Sequence, residues 1–141
     1  MKELNIVEDL LHAYFHGDVG RVMALVTEDF EFHNAPMPKV VIKGPQGMRD
    51  LMRNSAGGFP EPIEPGSGGH ERLSYALNGD TLLFERVDFW TIRGRAMRLP
   101  VCSVWRVRAD KVSLWRDYYD LGDYVRQMQS VGITIDTSAW Y

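Results

Sequence analysis

Charged residues alternate with aromatics in Phe84-x-Arg86-x-Asp88-x-Trp90, and the same spacing recurs in Trp115-x-Asp117-x-Tyr119. In an extended strand, residues two apart share a face. Each motif therefore sets its charges among bulky rings. If those faces turn inward, a lone Arg86 or Asp88 is expensive to bury, so each needs a partner. Asp117 is the natural third member, because one guanidinium carries enough donors to bridge two carboxylates. Two carboxyl groups held close together resist joint ionisation, so one stays ionised while its neighbour keeps a proton. That gives a base and an acid in one pocket at neutral pH. A buried Arg–Asp pair also occurs purely as an ion pair that specifies a fold. The alternation thus points to general acid–base work without naming a reaction.

The other chemistry-bearing residues point less clearly. His12 and His16 lie four apart on a helical stretch, a spacing that suits a metal. No third ligand accompanies them, and a solvated helix face is expected. His33 alternates away from Phe32 and Asn34 and is expected to point outward, while His70 falls at a loop end. Cys102 has no adjacent base and reads as a small core or interface residue. The glycines of 57–69 neither follow a strand nor open a helix, so they do not form a phosphate-binding loop.

The elements that must position these residues follow from periodicity. Residues 3–16 read as an amphipathic helix with Leu4, Val7, Leu11 and Tyr14 on one face. Gly17 stops it, and Asp18 can cap a second short helix with Val19, Val22, Met23 and Val26 as its apolar side. Thr27-Glu28-Asp29 is expected to break that helix before a short strand, Phe30 to Asn34. Two prolines in Ala35-Pro36-Met37-Pro38 exclude helix interior. A third helix is expected over 45–55, followed by a mobile loop over 56–70 with its repeated glycines and prolines. Strands at 71–78, 81–92, 96–108 and 111–119 come next, the first two joined by an Asn78-Gly79-Asp80 hairpin turn. A last helix runs from about Asp120 to Ser130, capped by Asp120. Helices first and strands after imply an α+β fold: a curved mixed or antiparallel sheet wrapped as a cone around the N-terminal helices, with an internal pocket.

Composition bounds the rest. A chain of 141 residues suits a single domain, 1–141, with one core. The net charge of −3 argues against a nucleic-acid binder, which carries a basic face. A single cysteine excludes an internal disulfide and points to a reducing, cytoplasmic setting. The N-terminal residues mix charges with apolar positions and do not read as a secretory signal. No stretch reaches the roughly 20 apolar residues that span a bilayer. On the far side of the strands, Val87, Phe89, Cys102, Val104, Leu114 and Tyr118 are expected to form an outer apolar patch, which suggests a homodimer.

Three segments together resemble the limonene-1,2-epoxide hydrolase family: Phe32-His33-Asn34-Ala35-Pro36-Met37-Pro38, Glu85-Arg86-Val87-Asp88 and Leu114-Trp115-Arg116-Asp117-Tyr118-Tyr119-Asp120. Their order and the elements between them also fit, so the likeness covers most of the chain. It implies a nuclear-transport-factor-like cone, a homodimer, and one-step hydrolysis of an epoxide to a vicinal diol. Asp117 would take a proton from water, Asp88 would protonate the departing oxygen, Arg86 would sit between them, and Asn34 would orient the water. No metal or organic cofactor is implied, and no nucleic-acid or membrane partner. One position departs from the pattern: the family usually has a tyrosine where this chain has Phe32, so a hydroxyl that helps hold the water is missing. Tyr119 could substitute for it. The expected wall of the pocket comprises Phe32, Leu11, Tyr14, Phe84, Trp90, Leu99, Val101, Trp115 and Tyr124. Such a lining suits a terpene-like or aryl epoxide.

Two other readings compete. A polyketide cyclase or isomerase of the same fold would use a pocket Asp as a carbon-acid base, without the Arg-bridged pair. A non-catalytic small-ligand-binding dimeric module would keep the polar trio as structural glue.

Overall fold

The computed structural model describes residues 1–54 and 58–138. It contains four helices and a six-stranded mixed sheet: α1 (Lys2–Phe15), α2 (Val19–Leu25), β1 (Val26–Asn34), β2 (Val41–Lys43), α3 (Gly44–Asn54), β3 (Gly69–Asn78), β4 (Thr81–Ile92), β5 (Arg95–Arg108), β6 (Lys111–Tyr118) and α4 (Leu121–Gln129). The expected end of the third helix at 55, and the start of the loop at 56–57, lie outside the described residues.

The sheet order is β2-β1-β6-β5-β4-β3. Four of the strands form an antiparallel meander, because two-residue turns connect β3 to β4, β4 to β5 and β5 to β6. Gly79 takes a positive φ in the first turn, while Arg93-Gly94 and Ala109-Asp110 take positive φ at both central positions. That is the geometry which matches strand twist across a tight hairpin. β1 instead runs parallel to β6 and pairs Phe32 with Trp115 and Asn34 with Asp117. The sheet is therefore mixed, and the N-terminal segment reaches the strand that carries the most specific motif.

Two boundaries differ from the sequence expectation. Val26, read as helical, is extended and opens β1, and Thr27 to Asp29 continue the strand rather than merely ending a helix. Val26 is buried, and the ladder to β6 shifts register between Val26 and Glu31. An irregular strand of this kind gives no clean alternation. β2, three residues long, was not foreseen; it pairs Ile42 with Phe32 and places an apolar side chain beside the site. The loop is also shorter than expected, since β3 already begins at Gly69.

α1 buries Leu4, Val7, Leu10 and Leu11 against the inner face of the sheet, in a core that includes Phe30, Phe84, Trp105 and Trp115. A second apolar cluster joins Trp90, Ile92, Met97, Leu99 and Val101 to Met128 and Ile133, next to α4. Asp120 caps α4, its side chain accepting from Asp123 N at 3.0 Å. One polar tie fastens α1 to the edge strand: Glu8 accepts from His70 Nε2 at 2.8 Å and pairs with Arg72. Burial alone would raise the Glu8 pKa, but the hydrogen bonds from Arg72 and His70 outweigh it and hold the carboxyl below its usual range. His70, uninformative in the sequence, thus closes the cone along β3.

The outer face is only partly the patch that was expected. Cys102 and Tyr118 are exposed, and Val87, Phe89 and Val104 are half-buried, but Leu114 is buried between Glu31 and Arg106 in the ladder. Cys102 is therefore no core residue. Leu83, 48 % exposed on the same face as Val87, adds to the patch.

Candidate active site

β4 alternates regularly between buried and open positions, which sends Leu82, Phe84, Arg86, Asp88, Trp90 and Ile92 inward. On β6, Trp115 and Asp117 point the same way. β5 lies between these strands and pairs Ser103 with Phe84 on one side and with Asp117 on the other. The fold thus carries four polar side chains, Arg86, Asp88, Ser103 and Asp117, from three adjacent strands to one inner face.

Arg86 is fully buried (0 % exposed). Its Nε donates to Asp88 Oδ1 at 2.7 Å, and its Nη2 to Asp88 Oδ2 at 3.1 Å. The same Nη2 lies 3.1 and 3.2 Å from the two oxygens of Asp117. Nη1 donates to Ser103 Oγ at 2.8 Å. Ser103 Oγ also accepts from Trp105 Nε1 at 2.6 Å and donates to the carbonyl of Phe84 at 3.1 Å. One proton and two lone pairs are all this hydroxyl has, and all are used. Trp115 Nε1 donates to Asp117 Oδ1 at 2.7 Å, and the Trp105 ring stacks on Trp115 at 4.7 Å. Burial would push the Arg86 pKa down, but Asp117 and Asp88 beside it outweigh burial and raise it, so the guanidinium stays charged. Burial raises the Asp117 pKa above its ordinary value, aided by Asp88 and opposed by Arg86 and by the Arg86 and Trp115 hydrogen bonds.

In front of this trio is a cavity of about 290 Å³. Asp88 and Asp117 line it, with Asn34, Phe32, Tyr14, Trp90, Leu99, Val101, Trp115 and Tyr124. Arg86 is not on the wall and bonds the carboxylates from behind. Leu11 and Phe84, expected on the wall, correct the sequence reading: both are fully buried in the core and line no part of the cavity. Facing direction could be read from alternation, but depth could not; helix α1 packs over that part of the sheet and fills the space.

Several wall residues carried no recognisable signal. Met37 and Val40 come from the proline segment, Ile42 from β2, and Gly58 and Phe59 from the loop. Gly58 has a positive φ, and a Cβ there would lie 2.8 Å from the Tyr14 hydroxyl, so this close approach requires glycine. Ser103 stood on the right face in the sequence, but its role depends on cross-strand register. Tyr119, considered for its hydroxyl, lines the cavity. Burial raises the pKa of both Tyr14 and Tyr124, so both keep their protons at neutral pH.

The histidines lie away from this wall. His12 and His16 stack at 4.0 Å, His16 Nδ1 is 2.9 Å from the His12 carbonyl, and His33 sits 3.4 Å from Glu31. Among the described residues, no three His, Cys, Asp or Glu side chains gather so that they could hold a metal ion.

An arginine clamped between two carboxylates that share a cavity wall is the feature to compare with known proteins. The limonene-1,2-epoxide hydrolase catalytic domain matches residues 1–130. The chain belongs to the limonene-1,2-epoxide hydrolase family. A protein described as "Epoxide hydrolase EphG" of Mycobacterium tuberculosis is 29% identical over 119 residues, covering 83% of this chain and 72% of that protein. The solved structure of a limonene-epoxide-hydrolase-like epoxide hydrolase from M. tuberculosis superposes with a TM-score of 0.70 at 25% identity, covering 92% of this chain and 90% of that one. A structure described as that of a "Putative SnoaL-like polyketide cyclase" from Shewanella denitrificans superposes with a TM-score of 0.75 at 11% identity, covering 91% of this chain and 97% of that one. That likeness concerns the cone fold alone. Membership of this family supports epoxide hydrolysis at the level of the family. No described helix is long and apolar enough to cross a membrane.

Proposed function

We propose that the chain is an epoxide hydrolase that adds water in one step to a small, largely apolar epoxide, terpene-like or aryl, giving a vicinal diol. The observation that carries this reading is the bridging of Asp88 and Asp117 by the buried Arg86 at the wall of an aromatic cavity.

Asp117 is the base. Its raised pKa makes the ionised carboxylate a better proton acceptor than a free aspartate. It takes a proton from a water, and the water oxygen attacks one epoxide carbon. The carbon–oxygen bond on that side breaks, and its electron pair passes to the ring oxygen. Asp88 in its protonated form delivers a proton to that oxygen. The result is a diol, with one proton moved from Asp88 to product and one from water to Asp117. A proton must return to Asp88 before the next turnover. Ring strain makes the epoxide a ready electrophile, so acid and base help of about 10² to 10⁴ per group suffices without a covalent intermediate. Asn34, paired with Asp117 across the β1–β6 ladder, orients the water, and fixing that water lowers the entropic barrier further.

An isomerase or cyclase reading needs only one pocket carboxylate, and the second, Arg-bridged acid speaks against it. The partly open outer sheet face around Leu83, Cys102 and Tyr118 supports a homodimer, in a cytoplasmic setting that a single cysteine favours. The chain is read as one domain throughout. A panel of terpene and aryl epoxides, assayed with the wild type and Asp117→Asn, tests the activity. Diol formation that disappears in the folded variant supports hydrolysis, and no turnover of any epoxide by the wild type rejects it.

A further inference from the structure

Three tryptophans, Trp90, Trp105 and Trp115, are almost wholly buried. Two have their indole N–H groups satisfied, by Ser103 Oγ and by Asp117 Oδ1. The third does not: Trp90 is 2 % exposed, and among the described residues its Nε1 is the one buried side-chain nitrogen or oxygen with no hydrogen-bond partner. An orphaned donor of this kind is destabilising, so it calls for an explanation. Its surroundings within the protein are hydrocarbon and rings: Phe59 at 5.3 Å, Tyr124 at 6.1 Å and the Ile92–Met97 cluster. Trp90 also lines the cavity, beside Asp88.

We propose that Trp90 Nε1 donates a hydrogen bond to an acceptor oxygen of the substrate, so that the natural epoxide is an oxygenated one carrying an ether, carbonyl or hydroxyl oxygen some distance from the ring. This rests on the hydrolase reading of the Arg86 trio. Trp90 follows Asp88 by two residues on the same face of β4, about 7 Å further along the strand at the usual rise. With Asp88 at the epoxide oxygen, the second oxygen lies several ångströms down the chain. A purely hydrocarbon substrate leaves the donor bare, whereas an acceptor oxygen that reaches it supplies the missing partner. The subsite therefore selects against hydrocarbon epoxides that fit the cavity equally well.

An oxygen scan tests this. The probes are 1,2-epoxyoctane and three analogues in which one methylene, at chain position 4, 5 or 6, is replaced by an ether oxygen. kcat/KM is measured for each with the wild type and Trp90→Phe, and Kd for the four corresponding diols with both proteins. The expected result is a peaked wild-type profile, in which one oxygen position gains relative to the all-carbon probe. That gain, taken relative to the all-carbon probe measured with the same protein, falls roughly three- to tenfold in Trp90→Phe. A wild-type profile flat across the positions overturns the proposal, and needs no variant that folds. So does a peak that Trp90→Phe leaves unchanged. If the wild type turns over no epoxide yet its diol affinities peak and depend on Trp90, the subsite stands and the hydrolase reading falls. Absence of both turnover and diol binding overturns the two together.

Discussion

Ser103 Oγ accepts a hydrogen bond from Arg86 Nη1 at 2.8 Å, while Nη2 of the same guanidinium reaches Asp117 at 3.1 Å. With the Trp105 indole donating to the same oxygen, Ser103 sets the angle at which Arg86 presents its other nitrogens to the two carboxylates. Ser103→Ala leaves both donors without this acceptor in a buried region. The expected loss of stability is about 1–3 kcal/mol for each donor left bare, read by urea denaturation. Activity should fall chiefly in kcat, because the carboxylates lose their alignment while the cavity wall is untouched. A fall confined to KM contradicts this role.

Arg86 is the charge that permits two carboxylates to be buried together. Removing one partner of such a group costs about 3–5 kcal/mol, and Arg86→Met should lose that much at pH 7. The deficit has a sign in pH. Without the guanidinium, burial and mutual repulsion hold the folded carboxyl pKa values above the unfolded ones. The folded variant then binds protons more tightly than the unfolded chain, and its stability falls as pH rises through the folded values. The gap between variant and wild type should accordingly narrow toward pH 4 and widen toward neutrality. Chemical denaturation across that range measures it, and a gap that widens toward acid rejects the account.

The rate should depend on pH in the same terms. Asp117 must be ionised to act as base, and burial raises its pKa above the ordinary 3.8. kcat/KM should therefore rise through an acid limb lying above the pH of a free aspartate. Initial rates, corrected for uncatalysed opening of the epoxide, give the profile. A flat profile with chemistry rate-limiting contradicts the paired-carboxylate mechanism.

Phe32 lines the cavity with its ring 4.2 Å from that of Trp115, and pairs with Trp115 across β1 and β6. The resemblance to the family implies a tyrosine at this position, with a hydroxyl that would help hold the water. Phe32→Tyr should raise kcat on an accepted epoxide, by up to about tenfold for one added hydrogen bond in the transition state. A variant no faster on any accepted epoxide indicates that the site holds its water without that hydroxyl.

How much of this was readable beforehand follows from physical periodicity. The period-two alternation of β4 and β6 marked Arg86, Asp88 and Asp117 as inward-facing, because each strand has one buried face and little irregularity. The hairpin turns were legible for the same local reasons. Val26 and β2 were not, since an irregular strand and a three-residue strand carry no periodic signal. Phe84 shares the inward face of β4 with Arg86 and Leu11 belongs to helix α1, but both sit in the core away from the cavity, a matter of tertiary packing that spacing cannot express. The hydrogen bonds of Ser103 depend on register between strands far apart in sequence, and the missing partner of Trp90 Nε1 can be found only once every neighbour is in place.

The central claim is that water, activated by Asp117 and assisted by Asp88, opens the epoxide directly. A single-turnover reaction in ¹⁸O-labelled water, with enzyme in excess over an accepted epoxide, tests it. The account predicts a diol that carries one ¹⁸O atom from the first turnover, no label in any carboxylate of the protein, and background conversion by Asp117→Asn. An unlabelled first-turnover diol would mean that its new oxygen came from a protein carboxylate through a covalent ester, and would contradict it.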